Sequence, residues 1–185
     1  MMRNHHPIFT ALVGLILLFT QSGFVFQGQL PAGSNATPVE LKGWYTYNWS
    51  LVNSLYSCRD TGTGCYVSLN YHSPGWMISQ QSVYIDPNWK SPKLVYWTKY
   101  YSEKIANFAY VEIQVEGERS WSRIKTIGGT KFYWQQAEVD LSAFSGKTIV
   151  VKFHTEPNIY YRGNSGRIFF NKQLFYVQGV TITAQ

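Results

Sequence analysis

From Phe108 to Val115 apolar and polar residues alternate without a break. Tyr110, Glu112 and Gln114 fall on one face, and Val111, Ile113 and Val115 on the other. A period of two is the mark of a strand with one face toward a core. Residues 117–120 supply a turn, and Trp121-Ser-Arg-Ile-Lys-Thr-Ile127 returns. After the Gly128-Gly129 break comes Trp134-Gln-Gln-Ala-Glu-Val-Asp-Leu141, then the compact corner Ser142-Ala-Phe-Ser-Gly-Lys147. Thr148-Ile-Val-Val-Lys-Phe-His154 is a further strand, with Ile149, Val151 and Phe153 on one face. Beyond the N-terminal segment nothing sustains a 3.6-residue period, and turn residues recur throughout. The pattern predicts an all-β protein, an antiparallel β-sandwich.

The N-terminus has a different pattern. Arg3 and two histidines precede Ile8-Phe-Thr-Ala-Leu-Val-Gly-Leu-Ile-Leu-Leu-Phe-Thr20. This run suits the apolar core of a secretory signal and is short for a membrane span. Residues 1–26 are therefore read as a signal peptide or an N-terminal anchor. The polar interruption Gln21-Ser-Gly23 favours export with cleavage near Thr20-Gln-Ser22. Continuation through Phe24-Val-Phe26 would leave residues 8–26 as a membrane anchor. No cysteine follows the run, which argues against a lipoprotein. Residues 27–40, with Leu30-Pro-Ala-Gly-Ser-Asn-Ala-Thr-Pro38, form a linker by composition, and the folded body is expected at 41–185. A secreted or cell-surface location follows from this reading.

Charge changes the picture little. Charged residues make up 14% of the chain and aromatic residues 17%, with a net charge of +6. Tyr, Trp and Phe favour pleated surfaces, which accounts for much of the aromatic content. The basic balance suits acidic surfaces such as anionic polysaccharide. Nucleic acid is not expected as a partner, because the Lys and Arg are scattered and no nucleic-acid module is present.

The two cysteines lie in Cys58-Arg-Asp-Thr-Gly-Thr-Gly-Cys65. In an exported chain this pair reads as one disulfide closing a small loop, worth about 2 kcal/mol. No second cysteine pair or histidine stands at metal-ligand spacing. Asp60-Thr-Gly62 matches the aspartic-protease tripeptide. However, Cys58 and Arg59 precede it where apolar residues are needed, and no second copy exists, so it reads as coincidence.

One resemblance rests on Val111-Glu-Ile-Gln-Val-Glu-Gly117, Trp121, Trp134, Asp140-Leu-Ser-Ala-Phe-Ser-Gly-Lys147 and Val150-Val-Lys-Phe153. This stretch resembles the MAM-like, galactose-binding-like jelly-roll domains that accompany secreted bacterial peptidases of the immune-inhibitor type. Ser82-Val-Tyr-Ile-Asp86, residues 94–101 and Phe175-Tyr-Val-Gln-Gly-Val-Thr-Ile182 resemble further strands of that family. The resemblance implies a jelly roll over most of 41–185, with Trp44, Trp121 and Trp134 in packing positions. It also implies a structural calcium site on the closing strand. Here Gln178-Gly179 stand where relatives carry carboxylates, so no tightly bound calcium, other metal or cofactor is expected; Glu40 alone makes no site, though Asp60 or Glu156 could act as substitute ligands.

Catalytic chemistry finds little support. After export only His72 and His154 remain, the first in a turn and the second on the outward side of its strand. No nucleophile elbow or zinc-binding helix motif appears. Glu112, Glu116, Glu118 and Asp86 read as solvated strand or turn residues. The chain is expected not to be an enzyme. Exposed aromatics are the stronger hint, because sugar rings stack on flat Trp and Tyr faces. Candidates are Trp44, Tyr45, Tyr47 and Trp49 near the start and Trp76 in a turn. Loop aromatics carry function more often than core ones, which puts Trp89, Tyr160, Tyr161 and Arg162 first as ligand-binding residues. The expected function is a non-catalytic binding module with carbohydrate as ligand. The alternative is an assembly subunit that packs on copies of itself or on a cell-surface protein.

Overall fold

The computed structural model describes residues 37–53, 58–59, 64–68, 74–102, 108–156, 159–161, 168–170 and 173–184. The chain divides into two units, Met1–Pro31 and Ala32–Gln185, and the described residues all lie in the second. The readings of residues 1–26 as signal or anchor, and of most of the linker, fall outside them.

The strands are β1 (Val39–Glu40), β2 (Trp44–Tyr47), β3 (Trp49–Val52), β4 (Cys65–Ser68), β5 (Gly75–Ser79), β6 (Val83–Tyr84) and β7 (Lys93–Ser102). They continue with β8 (Phe108–Val115), β9 (Ser122–Gly128), β10 (Lys131–Asp140), β11 (Thr148–Thr155), β12 (Ile159–Tyr161), β13 (Ile168–Phe170) and β14 (Gln173–Thr183). A single 3-10 turn, Ser142–Phe144, is the only helical element among the described residues. One sheet runs β10-β7-β14-β4-β3, with β1 beside β14. The other runs β2-β5-β11-β8-β9, with β6 beside β11. β12 and β13 form a separate two-stranded ribbon. All these pairings are antiparallel. Most neighbours in the sheets are distant in sequence, the signature of a jelly roll and not of a meander.

Alternation decides what lies between the sheets. Val111 and Ile113 of β8, Ile149, Val151 and Phe153 of β11, and Met77 of β5 face Leu94, Tyr96 and Tyr100 of β7 and Phe175, Val177 and Ile182 of β14, all buried. Phe153 is the hub. Its ring lies 5.0 Å from Tyr96, 5.9 Å from Trp44 and 6.3 Å from Phe175, so one side chain touches both sheets. Burying a ring of this size contributes about 2–3 kcal/mol. The inner polar groups find each other across the layer: Ser68 Oγ of β4 and Thr155 Oγ1 of β11 are 3.0 Å apart. The corner after β10 is pinned by Asp140, whose carboxylate accepts bonds from the Ser142 amide (2.9 Å) and hydroxyl (2.6 Å). These bonds hold its carboxyl below the usual range, and Phe144 plugs the turn from below.

Two irregularities matter later. Between Lys131 and Gln135 β10 slips against β7: Lys131 faces Tyr100 and Gln135 faces Thr98, so Phe132, Tyr133 and Trp134 share the space opposite Lys99. β14 slips between Gln178 and Thr181, where Gly179 takes φ of 60°, a left-handed conformation suited to glycine.

Candidate functional site

The outer face of the β2-β5-β11-β8-β9 sheet carries two registered rows of side chains. Tyr47, Trp76, His154 and Tyr110 face one another across β2, β5, β11 and β8. Beside them Tyr45, Ile78, Lys152, Glu112 and Arg123 run across all five strands. Five strands at ~4.8 Å spacing make a face of about 19 Å.

The β2 margin is aromatic. Tyr45 is 60% and Tyr47 49% exposed, and Tyr47 stacks on Trp76 at 5.9 Å with 28° between the rings. The centre is ionic. Glu112 is buried although it points outward, because its neighbours cover it. Lys152 Nζ lies 2.5 Å from its Oε2, His154 Nδ1 3.6 Å from the same oxygen, and Arg123 Nε 3.8 Å from its Oε1. Arg123 also holds Glu156 at 3.2 Å and lies 3.4 Å over the Tyr110 ring. Tyr110 donates its hydroxyl to Glu156, and burial followed by the Glu156 charge pushes that hydroxyl's pKa up. Lys152 sits 4.2 Å over Trp121. Burial lowers the His154 pKa; Lys152 and Arg123 push the same way, while Glu112 and Glu156 oppose them. His154 is therefore neutral at pH 7, with an imidazole able to donate and accept. Stacking rings beside fixed donors and acceptors is the arrangement a polyhydroxylated ring requires.

This placement revises several sequence readings. Glu112 is not a solvated strand residue but the buried centre of an ion cluster, because Lys152 and Arg123 come from other strands. Trp44 packs in the core as expected. Trp121 and Trp134 do not: each is half-buried on the outer side of its sheet. Trp121 lies under Lys152, and Trp134 lies beside Tyr176 (6.2 Å) and Lys99 (5.4 Å). Trp49 is in the core against Phe175, not on the surface. The Trp89 backbone N–H donates a hydrogen bond to the Asp86 carbonyl (3.0 Å), and the side chain lies partly buried against the core. Tyr160 and Tyr161 fall in β12, paired with Phe169 and Ile168, while Arg162 and His72 lie outside the described residues.

Cys58 and Cys65 form the expected disulfide. Arg59, next to Cys58, packs on the other sheet. The Arg59 amide bonds Gln178 Oε1 at 3.0 Å, Gln178 returns a bond to the Arg59 carbonyl (3.4 Å), and the Arg59 guanidinium stacks 3.5 Å over Trp97. Gln178, at the position where the resembling family places calcium ligands, is thus engaged by the loop backbone. Of the other acids considered as ligands, Glu156 is engaged by Arg123 and Tyr110, and Asp60 lies outside the described residues. Among the described residues no three His, Cys, Asp or Glu side chains gather as a metal site.

No protein-family model and no curated protein matches the chain. Solved structures do. The carbohydrate-binding module TmCBM61, solved with β-1,4-galactotriose, superposes with a TM-score of 0.51 at 14% identity over 79% of this chain and 91% of its own. The CBM22-1 xylan-binding domain of Paenibacillus barcinonensis Xyn10C gives 0.53 at 9% over 84% and 97%. The K2 cleaved adhesin domain of Lys-gingipain gives 0.51 at 14% over 76% and 88%. The chain is an all-β jelly-roll sandwich with the galactose-binding-like fold. At these identities the likeness defines architecture, and the site must be read from its own residues.

Proposed function

We propose that this protein is a non-catalytic carbohydrate-binding module that takes a glycan on the outer face of the β2-β5-β11-β8-β9 sheet. The observation that carries the reading is the pair of registered rows: rings at the β2 margin, then Lys152, Glu112, Arg123 and neutral His154 in the floor. Tyr47 and Trp76 stack on pyranose faces, and the charged groups bond ring hydroxyls, with charge-assisted bonds stronger than neutral ones. The fold neighbours that bind galactotriose and xylan support a β-linked plant-type glycan as ligand class. Trp89, Tyr160, Tyr161 and Arg162 are not needed for this platform. The disulfide and the apolar leader support a secreted or cell-surface setting, and the Asp140–Lys147 corner supports an accessory role like that of the domains beside secreted peptidases.

Isothermal titration against galactan, xylan and mannan oligosaccharides tests this. At least one should bind, and Tyr47→Ala with Trp76→Ala should weaken it by about tenfold or more, since a lost ring stack is worth about 1–3 kcal/mol. Unchanged affinity in that variant, or no glycan bound by the folded parent, would overturn the reading. A stable oligomer without glycan affinity would point to the assembly role instead.

A further inference from the structure

The aromatic bulge of β10 lies at one end of the sandwich, on the sheet opposite the rows just described; the Tyr47–Trp76–His154–Tyr110 row reaches the same end. Registers place it there: Lys131 faces Tyr100, Phe108 faces Gly128, Thr155 faces Ala109 and Ser102 faces Gln173. The β12–β13 ribbon leaves the sandwich between Thr155 and Gln173, so Ile159-Tyr-Tyr161 and Ile168-Phe-Phe170 belong to the same end.

Phe132 is 65% exposed and Tyr133 82%. A phenyl ring left mostly in water is an uncompensated cost, and several together mark a contact surface. The rings do not make a sugar platform. Phe132 is tilted 44° to Tyr101, and Trp134 stands 70° to Tyr176, so the group presents edges and tips and no common plane. The bulge also spoils the edge of β10 for strand pairing with another chain. Cations accompany it: Lys131 precedes Phe132, and Lys99 stands 4.5 Å over Tyr176 and 5.4 Å over Trp134. Burial lowers the Lys99 pKa. Along β10 the first acid is Glu138, about 20 Å further on and bound to Lys93 at 2.7 Å. At the end of β11, Glu156 is bound to Arg123. Two copies meeting here by a two-fold axis would bring lysine to lysine. An anionic surface would complement both the lysines and the net charge of +6.

We infer that this end of the sandwich docks on an anionic lipid bilayer, with Phe132 and Tyr133 entering the headgroup boundary and Lys99 and Lys131 at the lipid phosphates. Phe, Tyr and Trp with flanking lysines are the chemistry that interface favours. The inference uses none of the residues of the glycan reading, and Phe132, Tyr133, Lys99 and Lys131 lie on the other sheet.

The test uses the full chain with an environment-sensitive fluorophore on Tyr133→Cys, and in a parallel variant on Ser145→Cys at the opposite corner. Vesicles of phosphatidylglycerol with phosphatidylcholine should brighten the probe at 133 several-fold, and spin-labelled lipid should quench it. The probe at 145 should stay aqueous. Adding Phe132→Ser should weaken the response at 133 by about tenfold, and so should about 0.5 M salt. Because the probe reports its own surroundings, an N-terminal apolar segment that binds vesicles cannot imitate the result. A probe at 133 that remains aqueous on vesicle-bound protein would overturn the inference. So would brightening without vesicles that grows with protein concentration, or brightening by soluble oligosaccharide.

Discussion

Replacing Glu112 by Gln keeps the shape of the side chain and removes only its charge. In the folded protein that charge answers Lys152, whose side chain is 14% exposed, and Arg123, which is 45% exposed. Breaking a fully buried pair from one side costs about 3–5 kcal/mol, because the remaining charge is stranded. Water at Arg123 screens part of this, and Arg123 keeps Glu156, so the expected loss is about 2 kcal/mol. For a domain of this size that is a fall in melting temperature of about 4–8 °C. The loss should persist at high salt, since a covered pair is screened little. The double variant Glu112→Gln with Lys152→Met should recover much of the loss, because it removes the stranded cation together with its partner. Differential scanning calorimetry of parent, single and double variants measures this directly. If Glu112→Gln melts within about 1 °C of the parent, the ion cluster is a surface decoration and the account of the site floor is wrong.

Phe153→Ala should cost about 3–5 kcal/mol in urea denaturation, since it empties the one position that touches Tyr96, Trp44 and Phe175 together. A loss under about 1 kcal/mol would mean that the core closes over the gap. The His154 pKa is lowered in the folded state, so the unfolded chain binds the proton first. Stability should therefore fall as pH drops from neutrality through the ordinary histidine range, and His154→Gln should flatten that part of the profile; an unchanged slope would assign it to another group. Reduction of Cys58–Cys65 should lower stability by about 2 kcal/mol without unfolding the sandwich, and two free thiols by intact mass under non-reducing conditions would contradict the bridge. Melts with calcium and with chelator should coincide; a site filled at a hundred times its dissociation constant would add about 2.7 kcal/mol and separate them clearly.

The strands of this protein were readable because their alternation is local. Val111 and Ile113, or Ile149, Val151 and Phe153, point to a core whatever lies opposite. The Cys58–Cys65 bridge was readable for the same reason, since both partners sit on one short loop. The floor of the site was not readable. Glu112 looks solvated until Lys152 and Arg123 arrive from β11 and β9, and no local pattern specifies that β11 lies beside β8. Tyr45, Tyr47 and Trp76 could be noticed as aromatics, but only the register of β2 on β5 aligns them. Trp134 was placed in a packing position through the resemblance alone; the slip between Lys131 and Gln135 falls at this residue and sets it on the outer side, beside Tyr176.

The division of labour along β8 and β11 has a consequence for how such a protein changes over generations. Each strand interleaves two scripts. Val111, Ile113, Val151 and Phe153 keep the layers together, while Tyr110, Glu112, Lys152 and His154 face outward. Substitutions in the second set leave the apolar layer in place, and their cost in stability is that of the outer ion cluster, as worked out for Glu112. The chain and these neighbours share an architecture at 9–14% identity, so the architecture does not depend on most of the particular residues.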